Sequence, residues 1–119
     1  MDLAAPSPGT AAERYDVELR RTVDRVRGLA LLRLEAAFDP EPTRADAVRA
    51  LAQHLADTAA DLAGEPRRPL PSLASHAAGD QLAVCGHDLL EAAASVEDGA
   101  GDRVLAAASD ALLALRRRL

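Results

Sequence analysis

Apolar residues recur every three or four positions through most of this chain, and this spacing restricts its fold more than any other feature. An α-helix turns by about 100° per residue, so residues at these spacings form one stripe along a helix. The signals of β-strands, which are sustained alternation and a hairpin dipeptide between β-branched runs, do not appear in the sequence. The pattern therefore predicts an all-α fold.

The first predicted helix begins at a capping box, in which Thr10 is followed three residues later by Glu13. We expect this helix to continue until Asp39 and Pro40, because the apolar spacing continues that far and proline ends helices. Its buried stripe is expected to contain Tyr15, Leu19, Val23, Val26, Ala30, Leu34 and Ala37.

The second predicted helix has Thr43 as its N-cap, supported by Asp46, and Gly64 as its C-cap. The segment 65–71 that follows contains three prolines and is expected to be a stiff, extended connector. The buried stripe of this helix is expected to contain Val48, Leu51, Leu55, Ala59 and Leu62.

Two further helices are predicted in the second half of the chain. The third should span 72–96, with Gly79 as a possible break and Asp80 as a possible internal cap. The fourth should begin at Asp102 as its N-cap. Its stripe is expected to contain Leu105, Ala108, Leu112, Leu115 and Leu119.

These four helices predict a four-helix bundle with up-down-up-down topology, because none of the connecting loops looks long enough to cross a bundle. A length of 119 residues suits one domain. We therefore expect a single domain over 11–119, preceded by a disordered tail over 1–10 that contains two prolines and no periodic pattern.

The composition predicts close contact between helices. Alanine and leucine dominate, there is no Trp, and Tyr and Phe occur once each, so few large side chains are present to fill a core. In the third helix, large and small residues form two adjacent series spaced seven apart, a pattern that lets a neighbouring helix approach closely. The predicted helix-packing residues are Gly79, Leu82, Gly86, Leu89 and Ala93.

Charge and cysteine content exclude some classes of function. The formal net charge is -5, whereas a general nucleic-acid-binding protein normally carries a basic surface. The N-terminus does not resemble a signal peptide, and no apolar run approaches the roughly 20 residues that cross a bilayer. The single cysteine, Cys85, cannot form an internal disulfide. We expect a soluble, cytoplasmic protein that binds neither nucleic acid nor membranes.

The polar face of the third helix offers weak candidates for metal ligands. His76 with Asp80, and His87 with Glu91, are each spaced i, i+4 and could each chelate an ion. The two pairs are too far apart for one ion, because Asp80 and His87 differ by about 10 Å along a helix. His54, on the second helix, is the remaining candidate. A solvated face remains the favoured interpretation, so no metal or other cofactor is expected.

No catalytic residues are expected either. Cys85 and His87 lie on different sides of the third helix, so the histidine is not placed to activate the thiol. Glycine-rich phosphate loops and serine-histidine-acid arrangements are absent from the sequence.

The stretch "HAAGD", His76 to Asp80, resembles the active stretch of bacterial histidine phosphotransfer domains, which are four-helix bundles. That resemblance implies a phosphate-accepting histidine on a helix. Those domains usually have a lysine and then a glycine after the histidine, whereas this chain has Gly79 and Asp80, and an aspartate would repel a phosphoryl group. We keep this as a third possibility.

The stretch "GDQLAVCGHDLL", with "RRPLP" before it, resembles small alanine-rich all-helical proteins of actinobacteria. This resemblance implies no catalytic residues and favours an accessory or regulatory role. Leu31 and Leu32 point away from the first stripe, and Val84 lies among polar residues, so these three form a possible interaction surface. We therefore expect a non-enzymatic protein that acts through protein contacts, self-association included. The alternative is a bundle that binds a metal or small ligand on the polar face of the third helix.

Overall fold

The computed structural model describes residues 9–97 and 99–119, which are mostly helical, with 73% in helices. The predicted tail lies almost wholly outside these ranges. The described elements, in chain order, are α1 (Ala11–Arg27), α2 (Leu31–Leu34), β1 (Ala37–Phe38), β2 (Glu41–Thr43), α3 (Arg44–Ala63), a 3-10 turn (Ser75–Ala77), α4 (Ala78–Ala94) and α5 (Ala100–Arg118).

Local side-chain chemistry sets several helix ends, as predicted. The hydroxyl of Thr10 accepts a 3.0 Å hydrogen bond from the amide of Glu13, and that of Thr43 accepts one of 3.1 Å from Asp46. Gly64 follows α3 in a left-handed conformation with φ of 69°, which glycine adopts without steric cost. These caps confirm the predicted start of α1 and both predicted ends of α3.

The predicted end of the first helix is wrong. The helix stops at Arg27, Gly28 caps it, and Ala30 is extended before the single turn of α2. Glycine favours helix less than any residue but proline, and a separate turn lets Leu34 be buried in the core. Ala30 and Ala37 are exposed, although the predicted continuous stripe would have buried both.

A short hairpin corrects the prediction of an exclusively α-helical fold. Strands β1 and β2 pair in antiparallel register, with Ala37 opposite Thr43 and Phe38 opposite Glu41. Strands of two and three residues are too short to show alternation, so the sequence carries no signal for them. The hairpin buries Phe38 between the guanidinium groups of Arg44 and Arg118, which lie 4.9 and 4.2 Å from the ring centroid.

The predicted starts of the last two long helices also need correction. Residues 72–74 are outside any helix and α4 begins only at Ala78, so Gly79 lies in the first turn of α4 and does not interrupt the helix. The carboxylate of Asp80 binds Arg27 on α1 and is not an internal cap. The helix α5 begins at Ala100, with Gly99 at the N-cap position and Asp102 within the first turn.

The segment 65–74, called the strap below, runs back along α3 and determines the direction of α4. Arg67 binds Asp61 near the end of α3, and the carbonyl of Leu73 accepts from Arg49 near its start. Helices α3 and α4 therefore run in the same direction, which differs from the predicted up-down-up-down order. The prolines keep the strap extended. The strap therefore runs back along α3, although the sequence suggested that no connecting loop was long enough to cross the bundle.

The four long helices bury one continuous core. Helix α1 packs against α4 and α5, and α3 packs against the same two helices. The predicted stripe of α5 is entirely buried, whereas Leu51, Ala59 and Leu62 of α3 are half-buried. The largest fully buried side chains are Tyr15, Leu19, Leu55, Leu82, Leu89, Leu112, Val26, Val48 and Thr22.

Candidate functional site

The most exposed large apolar side chain, that of Leu32, lies on α2 beside a second exposed leucine, Leu31. Leu32 is 87% exposed and Leu31 is 50% exposed, while Leu34 anchors the turn in the core. Arg33 is also exposed, and within the described part of the chain its guanidinium has no ion pair. We call residues 31–33 the α2 knob. A single turn that presents two leucines and an unpaired cation to solvent is a candidate contact surface.

The knob lies at the hairpin end of the molecule, where α1 and α5 end and where α3 and α4 begin. Arg118 at the end of α5 donates to the carbonyl oxygen of Asp39 in the hairpin. Arg25 on α1 donates to the carbonyl oxygen of Leu119 at 2.8 Å. Since the last turn of α5 carries three consecutive arginines, this end of the molecule is rich in cations.

A second surface feature is a groove of about 510 Å³ between the C-terminal halves of α3 and α4. We call it the α3–α4 groove. Small side chains line it, so a neighbouring backbone could approach closely. Several lining residues are exposed, which makes it an open slot and not an enclosed cavity. Its apolar lining is formed by Ala56, Ala59, Ala60, Ala63, Pro66, Leu70 and Ala92.

The α3–α4 groove is acidic. Glu65, Asp88 and Glu91 line it, against one cation, Arg68. All four residues are exposed, and the ion pairs among the described residues involve none of them. The carboxylates are therefore available to a cationic group from outside.

The strap lines the α3–α4 groove together with the two helices, and Gln53 holds the strap to α3. The side-chain amide of Gln53 donates to the carbonyl of Arg68 at 3.0 Å and accepts from the amide of Leu70 at 2.8 Å. Gln81 on α4 donates to the carbonyl of Pro71 at 3.1 Å. The strap is therefore bound through its backbone to both helices.

The structure separates the residues that were considered as metal ligands. His76 lies in the 3-10 turn, Asp80 is paired with Arg27 at 2.6 Å, and His54 is exposed on α3. His87 and Glu91 are exposed on α4, and of these two only Glu91 lines the groove. Across residues 9–97 and 99–119, no group of three or more His, Cys, Asp or Glu could hold a metal ion.

The geometry around His76 also bears on the phosphotransfer resemblance. His76 is exposed and lies in the 3-10 turn directly before α4, whereas the resemblance implies a histidine on a helix. Asp80 lies one turn further along, and its carboxylate is exposed as well. The carboxylate that disfavours a phosphoryl group is thus at the surface one turn from the histidine, where it is paired with Arg27.

Cys85 is buried and unsuited to nucleophilic chemistry. Burial raises the pKa of its thiol, and the negative charge of Asp88 adds to this effect. A thiol is reactive as the thiolate, so a raised pKa makes it inert near neutral pH. Burial likewise raises the pKa of Tyr15, which keeps its hydroxyl protonated as a hydrogen-bond donor.

The predicted helix-packing residues of α4 are all buried, and they are Gly79, Leu82, Gly86, Leu89 and Ala93. A Cβ atom added to Gly86 would lie 2.6 Å from Cδ2 and 3.1 Å from Cγ of Leu19. One added to Gly79 would lie 3.0 Å from Cγ of Arg27. Both glycines therefore pack closely against α1; Gly86 has no room for a side chain, whereas at Gly79 the side chain of Arg27 would have to shift slightly.

Sequence reasoning missed Gln53, Gln81 and the α3–α4 groove. Each depends on the return path of the strap, which no local pattern encodes. It did single out Leu31, Leu32 and Val84, and all three side chains are exposed; Val84 lies on α4, 61% exposed. It overlooked Leu73, which is 40% exposed in the strap.

In the part of the chain that the structure describes, no helix is both long enough and apolar enough to cross a bilayer. Comparison with models of protein families finds no match for this chain. Neither the curated proteins nor the solved structures contain a significantly similar chain. The function must therefore be inferred from the chemistry of the surfaces described above.

Proposed function

We propose that residues 11–119 form one four-helix bundle domain that acts without catalysis, through protein contacts, and that its first partner is a second copy of itself. The helix contacts support the bundle, since α4, α1, α5 and α3 pack in a closed ring in that order. Some four-helix bundles contain a long crossover connection between two helices, and the strap is such a connection between α3 and α4.

The observation that carries the self-association is the exposure of Leu32 on the α2 knob. Burying a leucine side chain contributes roughly 1.5 to 3 kcal/mol, so two leucines at one contact supply a useful driving force. A one-turn helix covers less area than a standard interface, so we expect association at micromolar or higher concentrations.

Light scattering over a range of micromolar concentrations tests the proposal. The mean mass should rise above that of the monomer as concentration increases, and Leu32→Glu should return it to the monomer. Val17→Glu is the matched control, because Val17 is also an exposed apolar residue, 42% exposed, but lies on α1 away from the knob. A wild-type protein that stays monomeric throughout would refute the proposal.

A small ligand in the α3–α4 groove is the second candidate function. The volume of about 510 Å³ supports it, since it falls within the roughly 300 to 1,000 Å³ typical of ligand sites. The acidic lining favours an organic cation with an apolar body. A screen of such amines by thermal shift, with Glu91→Gln as the comparison, tests it. Stabilisation that is equal in both proteins would argue against binding in the groove.

A further inference from the structure

We infer that the α2 knob of one copy docks into the α3–α4 groove of the next, so that the protein associates head to tail. This inference rests on the proposed self-association and names the surface that receives the knob. The two surfaces lie on different parts of the same molecule, so the contact is heterologous and can propagate from copy to copy.

Shape and polarity support this pairing. The groove is an open slot with alanines at positions 56, 59, 60 and 63 of α3 and at position 92 of α4. Alanine side chains are small, so this lining leaves space for larger side chains from another molecule. Helix α2 exposes two such side chains, Leu31 and Leu32. An exposed apolar turn and an unfilled apolar slot are complementary in polarity.

Charge complementarity is the second argument. Three carboxylates, Glu65, Asp88 and Glu91, line the groove against one cation, Arg68, and none of the four has an ion pair among the described residues. The knob carries an unpaired cation in Arg33. Of the three arginines at the end of α5, Arg116 is paired with Glu18, whereas Arg117 and Arg118 have no ion pair among the described residues and lie at the same end of the molecule as the knob. An incoming knob therefore brings positive charge to the negative groove, which favours the head-to-tail orientation and speeds encounter.

A symmetric alternative would pair one α2 knob with the same knob of the partner. That contact would place Leu32 against Leu32, and it would leave the α3–α4 groove unused in both copies. It would also end at a dimer, because a twofold contact is closed. Only the head-to-tail arrangement requires the α3–α4 groove, so a variant of the groove distinguishes the two arrangements.

The test uses two variants that each remove one surface. Leu32→Glu removes the knob, and Ala60→Arg fills the groove and opposes Arg33. Each variant alone should be monomeric in light scattering, whereas an equimolar mixture should form a dimer, since one intact knob and one intact groove remain. Helicity measured by circular dichroism checks that each variant is folded.

A second groove variant keeps the test valid if Ala60→Arg fails to fold. Glu91→Arg reverses an exposed charge in the groove and should weaken association. Asp110→Arg is its control, because Asp110 is also exposed but lies on α5 outside the groove lining. Association should survive in this control.

The possible failures are distinct. If the wild type is monomeric, both the proposed function and this inference are wrong. If the wild type associates and both groove variants associate equally well, self-association stands and the groove is not its receptor. A mixture of Leu32→Glu and Ala60→Arg that remains monomeric would overturn the head-to-tail contact as well.

Discussion

The hydroxyl of Tyr15 on α1 donates a 2.8 Å hydrogen bond to the backbone carbonyl of Gly86 on α4. This contact joins the only tyrosine of the chain to a glycine at which the two helices meet. The tyrosine is fully buried, so its hydroxyl requires a partner inside the protein, and the close approach of the two backbones provides one.

We predict that side chains at Gly86 destabilise the protein, although alanine normally favours a helix by about 1 kcal/mol over glycine. A Cβ atom there would overlap Leu19, which is itself 1% exposed and has little space to move. Overpacking should cost about 1 to 3 kcal/mol in Gly86→Ala and more in Gly86→Leu. Chemical denaturation measures this. Gly28→Ala is the control, because a Cβ atom there makes ordinary contacts of 3.4 Å or more.

Gly101→Ala should be more destabilising than Gly86→Ala. Its Cβ atom would lie 3.1 Å from the carbonyl carbon and 3.2 Å from the Cα of Ala93, so backbone of α4, and not a side chain, would have to move. Backbone shifts in a packed core are costly, and we expect a loss of about 3 kcal/mol. Equal midpoints of denaturation for this variant and the wild type would show that α5 can move away from α4 freely.

Gln53→Ala should release the strap from α3. The change leaves the exposed carbonyl of Arg68 and the part-buried amide of Leu70 without their partner, at a cost of about 0.5 to 1.5 kcal/mol. Proteolysis within the strap should become faster as a result. His54→Ala is the control on the adjacent residue, which is exposed, and its stability should stay within about 0.5 kcal/mol of the wild type. Equal cleavage rates for both variants would contradict the role of Gln53.

Glu18 and Arg116 should make stability depend on pH. The hydrogen bonds from Arg116, at 2.7 and 3.0 Å, hold the pKa of Glu18 below its ordinary value. The ionised carboxylate therefore stabilises the fold above the unfolded pKa of about 4.3, and this contribution is lost as pH falls through the lower folded pKa.

At neutral pH, Glu18→Gln should cost about 1 to 3 kcal/mol, because the cation of Arg116 loses a charged partner. The difference from the wild type should shrink in acid. Asp16→Asn, which removes an exposed i, i+4 pair with Arg20, should cost less than about 0.5 kcal/mol. Thermal denaturation at neutral and acidic pH compares the three proteins. A constant difference for Glu18→Gln at every pH would contradict the assignment.

His87→Gln should change the melting temperature little. The side chain is exposed on α4, and surface substitutions usually stay within about 0.5 kcal/mol. A loss of several kcal/mol, or the loss of an ion that co-purifies with the wild type, would show that His87 has a role that its position does not reveal.

The sequence by itself determined the features that depend on neighbours a few residues away. Thr10, Thr43 and Gly64 cap helices through contacts within one turn, so their identities were sufficient to predict them. The buried stripe of α5 also followed from spacing alone, because a straight helix repeats every 3.6 residues.

Only the tertiary structure decided where the chain leaves regular helix and where the connections run. The apolar spacing of α1 continues past Gly28, so the glycine is a weak local signal, and α2 and the hairpin replace a longer helix because Leu34 and Phe38 pack into the core. The return path of the strap depends on Gln53 meeting the backbone of Leu70, residues that are distant in sequence. The groove and the pairing of Asp80 with Arg27 follow from these paths, since contacts between distant residues form only when the whole core is packed.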